Sequence, residues 1–292
     1  MSLVGVTGRV RLARGEGPWA WLAAGSVALS LLLLGGLLTL IAVRGLGHFW
    51  PASVSLVELD DGSVLAGRAV RELPLVPRSA GPDESGMSGG ARERLYFTGN
   101  RDLDGHVWQW VAVDRIVESD RPRELVVMER LRHGDFIGRL VAVRAAGQIE
   151  AQSTEDGDVA WAALQARLSA VEVLRGERDD LVHGVIQPLV RRLENDPDDT
   201  AARRRLVEAD ERIRGLQESM RADVVVLESV DGRRLALTLD EVLRTWRPND
   251  MSVPEKVGAW SRGVWRFLSE GPRAANTAGG VWPAIFGTVL MV

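Results

Sequence analysis

Between Trp19 and Val43 the chain carries no charged residue for about 25 positions, and it includes the block Leu31-Leu32-Leu33-Leu34. At 1.5 Å per residue such a run makes a helix of roughly 37 Å, enough to cross about 30 Å of hydrocarbon with some tilt. Gly25, Gly35 and Gly36 are tolerated in a membrane helix. Trp19 and Trp21 at one end, and Phe49 and Trp50 beyond the other, suit interfacial belts. A cleaved signal peptide would have a core of about 7–15 residues and a small-x-small cleavage site. This run is longer and leaves through Ala42-Val43-Arg44-Gly45 without that site. Arg9, Arg11 and Arg14 precede the run and only Arg44 closely follows it, so the positive-inside rule puts residues 1–18 in the cytoplasm and the chain after about 44 outside the inner membrane.

Charge is plentiful but balanced, with a net −4 over 292 residues, so no global field points to nucleic acid. Cysteine is absent, which excludes disulfides, thiolate metal sites and cysteine nucleophiles. Basic residues are arginine except for Lys256.

Beyond the apolar run, residues 44–153 read as a strand-rich region. Val54 to Leu59 alternates, Asp60-Asp61-Gly62-Ser63 is turn chemistry, and Val64 to Leu73 returns. Further strands are expected at Leu95–Phe97, His106–Ile116, Leu125–Leu131 and Phe136–Ala145, with a mobile loop over Ser79–Ala91. The period then changes. Over 154–221 two amphipathic helices are expected, the first with Leu164, Leu168, Val171, Val182, Val185 and Leu189 near one stripe. In the second, Leu206, Ala209, Ile213, Leu216 and Met220 are spaced 3-4-3-4 as a heptad seam. The connection Asn195-Asp196-Pro197-Asp198-Asp199 combines a stop, a proline and capping carboxylates, so an antiparallel, coiled-coil-like hairpin is expected. Strands return over 222–251. Asp60-Asp61-Gly62 and Val230-Asp231-Gly232 are alike, and the two strand regions are expected to pair in one small sheet or barrel from which the hairpin projects.

Over 252–277 an amphipathic helix begins near Pro254, with Val257, Trp260, Val264, Phe267 and Leu268 at helical spacing. It reads as lying along a membrane surface, and a helix packed on the sheet remains the alternative. From 278 to 292 the chain is apolar again, which is expected to be the start of a second span. The fold class expected is therefore membrane-anchored α+β: one N-terminal transmembrane helix, an extracytoplasmic β-sheet region with an inserted antiparallel helical hairpin, and the start of a second transmembrane helix.

No catalytic constellation stands out. His48, His106, His133 and His183 are scattered, and Asp102-Leu103-Asp104-Gly105 and Glu155-Asp156-Gly157-Asp158 lack the full run of calcium ligands. Gly86 to Gly90 lacks a Lys-Ser/Thr, and Arg203-Arg204-Arg205 reads as a solvated helix face. No enzyme, cofactor or metal site is expected.

Three C-terminal stretches together resemble one family. They are Trp246-Arg247-Pro248-Asn249-Asp250-Met251; Trp265 to Leu268 with Pro272 to Thr277; and Gly279-Gly280-Val281-Trp282-Pro283-Ala284-Ile285-Phe286-Gly287-Thr288. They look like the segment leading into the permease core of PstA-type subunits of phosphate-import ABC transporters, over about residues 239–292, and Asp240 to Arg244 also looks similar. The family-like motif consists of Gly279, Gly280, Pro283, Ala284, Ile285, Gly287 and Thr288. Its glycines allow a sharp turn and Pro283 suits a helix's first turn. The resemblance implies an inner-membrane permease working with a second permease subunit, a cytoplasmic ATP-binding subunit dimer and a periplasmic phosphate-binding protein in the lipid bilayer. The rest of such a core does not lie within these residues, so no transport residue can be carried over. The alternative is a membrane-anchored extracytoplasmic scaffold that oligomerises through its helical hairpin.

Overall fold

A computed structural model describes residues 18–74, 92–153 and 158–269. The apolar run forms α1, Pro18–Gly47. Over Trp21–Gly47 it is long and apolar enough to cross a membrane, and none of that stretch is buried against the rest of the protein. Its few hydroxyls satisfy themselves. Ser26 donates to Ala23 O at 2.9 Å, Ser30 to Ser26 O at 2.9 Å and Thr39 to Gly35 O at 2.7 Å. Such pairing with the carbonyl three or four residues back satisfies a hydroxyl without help from solvent.

Eleven strands follow among the described residues, and they form two antiparallel sheets rather than the single sheet expected. The first holds β1 (Ser55–Leu59), β2 (Val64–Pro74), β3 (Arg92–Phe97), β4 (Trp108–Ala112) and β5 (Ile116–Asp120) in the order β4-β3-β2-β1-β5. The short helix α2, Arg101–Asp104, joins β3 to β4. The stretch expected to be one strand from His106 to Ile116 is broken by a 3-10 turn, Val113–Arg115, which joins the two outermost strands. Laid flat, five strands would set those edges about 19 Å apart. The four steps from Ala112 to Ile116, at about 2.0 Å rise each, span only about 8 Å, so the sheet must curl. Inside the curl lie Val57, Leu59, Leu65, Tyr96 and Val111.

The second sheet repeats this plan. β6 (Leu125–Arg130), β7 (Phe136–Ala145), β9 (Val224–Glu228), β10 (Arg234–Thr238) and β11 (Val242–Trp246) stand in the order β10-β9-β7-β6-β11. A 3-10 turn, Leu239–Glu241, again joins the outermost strands. β8, Gln148–Gln152, pairs with the second half of β7. The strands of 222–251 therefore pair with β6 and β7 and not with β1 to β5. The two Asp-Gly turns occupy different places in the plan, between the first and second strands of one module and the third and fourth of the other.

The helical hairpin is inserted between β8 and β9. α3 (Asp158–Leu181) runs through a π turn at Val182–Ile186 into α4 (Gln187–Asn195), and α5 (Thr200–Arg221) returns. Pro188 explains the π turn. It lacks the N–H that a regular helix would send back one turn, and its ring crowds the preceding carbonyls. α5 starts on Asp199, whose carboxylate accepts the Ala201 and Ala202 N–H groups at 3.0 and 2.9 Å. Of the expected seam Ala209, Leu216 and Met220 are buried, with Ala202 added at its start, while Leu206 and Ile213 are half-buried. Only the base of the hairpin reaches the sheet core, through Ala160, Leu164, Val171 and Met220. Arg175 fixes that base by donating to Leu239 O, Asp240 O and Val242 O at 3.0, 3.2 and 2.7 Å. Residues 176–195 continue about 30 Å beyond it.

Last comes α6, Val253–Ser269. It contributes nothing to the three apolar cores, which sets aside its reading as a helix packed on the sheet. The expected loop at 79–91, the Gly86–Gly90 segment and residues 278–292, with Gly279 to Thr288, lie outside the described residues.

Candidate functional site

Two junctions concentrate the polar chemistry of the described residues: the joint between the modules, and the place where the chain leaves α1 and returns to it.

The joint is built from the segment between β3 and β4. Gly99 has φ +64°, and a Cβ there would stand 2.5 Å from Asp135 O. This glycine lets Asn100, itself at φ 49°, come against β7. The Asn100 amide then imitates a strand partner: it donates to Ile137 O at 2.8 Å and accepts the Ile137 N–H at 2.9 Å, while its own N–H donates to Asp135 O at 2.9 Å. Two residues on, Asp102 receives both terminal nitrogens of Arg130 at 2.8 Å. The Arg130 side chain is only 1% exposed and also donates to Gly134 O at 2.9 Å. Burial pushes Asp102 up, but the paired Arg130 outweighs it and its pKa is lowered. Nearby Asp135 is raised, first by burial and then by the Glu129 charge. Asp104 pairs with Arg233, which also pairs with Asp231. The carboxylates of Asp102 and Asp104 are thus committed to arginines of the second module. Apolar packing completes the joint through Val54, Ala66, Leu125, Val127 and Ile137.

Beside this joint lies an open cleft of about 140 Å³ whose polar lining includes Thr98, Asn100, Asp104, His106, Gln109, Ser229 and Asp231. It has room for a few waters and is smaller than the usual 300–1,000 Å³ of a small-molecule site. With Asp104 and Asp231 already sharing Arg233, the cleft does not offer an anion a positive cradle. Among the described residues no group of three or more His, Asp or Glu side chains is placed to hold a metal ion. His106 Nδ1 lies 2.8 Å from Asp104 O.

At the second junction, Trp260 of α6 donates its indole N–H to Leu46 O at 2.8 Å, one of the last carbonyls of α1. The Phe49 and Phe267 rings meet at 5.3 Å, and Phe49 lies over Gly263. Above them Asn249 clasps the outgoing chain to the ingoing one. Its amide donates to Val54 O at 2.8 Å and Pro122 O at 2.9 Å and accepts the Val54 N–H at 3.0 Å. Trp246, in the stretch that resembles the permease family, packs at the module joint. Arg247 lies 4.6 Å above the Trp161 ring.

Sequence reading did not single out Asn100, Arg130 or Arg175. The one local sign was a charged residue closing the apolar strand Leu125–Arg130. Asn249 stood in the family-like stretch, but its clasp joins residues 195 apart and leaves no local signal.

No protein-family model, curated protein or solved structure matches the chain. The permease resemblance therefore rests on its own residues, of which 270–292 lie outside the described structure.

Proposed function

We propose that this chain is the N-terminal part of a permease subunit of an ABC-type phosphate importer. Its two β modules and hairpin form an extracytoplasmic insertion between two membrane helices. The observation that carries the reading is the return of the chain to its starting point. Asn249 holds the outgoing segment on Val54, and Trp260 and Phe267 hold α6 on the end of α1. An insertion between membrane segments needs its two ends side by side, and a free-standing tethered domain does not. The apolar, unburied α1 supplies the anchor, and the arginines at 9, 11 and 14 favour a cytoplasmic N-terminus. The second permease subunit, the ATP-binding dimer and the phosphate-binding protein belong to this proposal as partners, with the hairpin tip as the part that meets the phosphate-binding protein. The scaffold reading stands second because α5 buries most of its heptad seam within the chain, at Ala209, Leu216 and Met220.

Removing the whole hairpin would strip Leu164 and Met220 from the core, so the test must be confined to the tip. Replacing residues 179–210 by a short Gly-Ser link, in the complete gene product in its own cells, should lower high-affinity uptake of radiolabelled phosphate while the subunit stays at wild-type level in the membrane. Uptake unchanged by deletion of the whole gene would overturn the importer reading. Loss with the gene but not with the tip would overturn only the tip's role.

A further inference from the structure

We infer that α6 lies in the lipid interface, its uncovered apolar stripe set among headgroups and upper acyl chains beside the end of α1. The inference rests on α1 being a membrane span and not on the substrate of the complex.

α6 is fixed at its start by the Glu255 carboxylate reaching back to Ser252, whose N–H and hydroxyl both donate to Glu255 Oε2 at 2.7 Å. At 100° per residue, Val253, Val257, Trp260, Val264, Phe267 and Leu268 fall within an arc of about 100°. The two sides of this helix meet different surroundings. Gly263 is buried against Phe49, and Trp260 is tied to Leu46 O. Val253, Val257 and Leu268 are left exposed, Phe267 is only partly covered by Phe49, and Trp265, about 60° beyond the arc, is 72% exposed. A soluble helix would turn that stripe onto a core, yet α6 joins none of the three cores.

The occupant is identified by where the stripe is anchored. The contacts to Leu46 and Phe49 hold α6 at the end of a helix whose own apolar side chains are exposed along its whole length. The apolar surface of α6 is continuous with that of a membrane span, so lipid is the medium already present there. Charge agrees. Lys256 and Arg262 lie along α6, whose one carboxylate, Glu255, is engaged in the cap. A basic amphipathic helix with tryptophan suits an anionic interface, buried about 5–10 Å into the headgroup boundary.

The chain has no cysteine, so single spin labels can be placed without background. Val257→Cys, Leu268→Cys, Arg262→Cys and Leu33→Cys would each be labelled in the full chain in vesicles of 7:3 phosphatidylcholine and phosphatidylglycerol. Collision with oxygen would be compared with collision with a water-soluble nickel chelate. Oxygen should dominate at 257 and 268, as at 33, and the chelate should dominate at 262. Chelate dominance at 257 and 268, or exclusion of both reagents there, would overturn the inference. An oxygen-accessible label at 33 would in either case leave α1 in the bilayer and the importer reading intact.

Discussion

The first module, Ser55–Asp120, and the second, Leu125–Trp246, share one strand order and one 3-10 closure, yet they fill their interiors differently. The first is self-sufficient: Tyr96, the bulkiest of its buried side chains, sits among Val57, Leu59, Leu65 and Val111. The second also takes in residues from outside its sheet. Its core continues through Met128, Phe136, Val225 and Leu227 into Ala160, Leu164, Val171 and Met220 of the hairpin. The insertion point is the same in both, between the second and third strands of the plan. The first module has residues 75–91 there, and the second has the hairpin, with β8 at its start. One frame thus admits two solutions: a large aromatic at the centre, or helices whose bases complete the core and whose ends are free to project.

The comparison is most exposed at the joint. Arg130→Ala leaves Asp102 without its partner and should cost about 3–5 kcal/mol, read from urea unfolding of the detergent-solubilised chain. A cost below about 1 kcal/mol would mean that the modules do not depend on this pair. A somewhat smaller effect is expected inside the second module. Leu164→Ala should destabilise it by about 2–5 kcal/mol, whereas Val185→Ala at the projecting tip should fall within about 0.5 kcal/mol of wild type. Hydrogen exchange should show the Leu164 loss over β6, β7 and β9 and leave β1 to β3 protected; equal loss in both modules would sink the idea of separate cores. The smallest effect concerns the β1–β2 turn. Asp61 is held down at about 2, first by the Ser63 hydroxyl and amide and then by Arg115. A carboxylate depressed by folding contributes stability above its ordinary 3.8 and loses it as the pH falls through about 2. Asp61→Asn should therefore lower the melting temperature slightly at pH 5 and remove part of the acid slope between 3.8 and 2. An unchanged slope would show that the turn does not contribute.

Legibility followed the range of the interactions. The hairpin was readable because its seam is a local 3-4 spacing and its turn carries Pro197 and Asp199. α1 was readable from composition alone. The division into two sheets was not, because strand pairing is long-range and the two Asp-Gly turns invited a false equivalence. A better sign of the repeat was present: Val111-Ala112-Val113-Asp114-Arg115-Ile116-Val117 and Leu237-Thr238-Leu239-Asp240-Glu241-Val242-Leu243 alternate alike around an aspartate, and each forms a strand, a 3-10 turn and the start of the last strand. β8 escaped notice because Gln148-Ile149-Glu150-Ala151-Gln152 carries little apolar alternation, and Ala151 alone of the five is buried. At the joint, Asn100 and Arg130 act through backbone groups and carboxylates distant in sequence, where no spacing rule reaches.

Asn249 sets an order of events. Its three partners lie on Val54 and Pro122, so its grip requires the chain to have doubled back across nearly two hundred residues. Closing so long a loop in an unfolded chain would cost about 5 kcal/mol in entropy, more than three hydrogen bonds return. Both modules are therefore expected to fold before the clasp shuts. The contacts of α6 with Leu46 and Phe49, which come after Asn249 in the chain, are then expected to be the last to form.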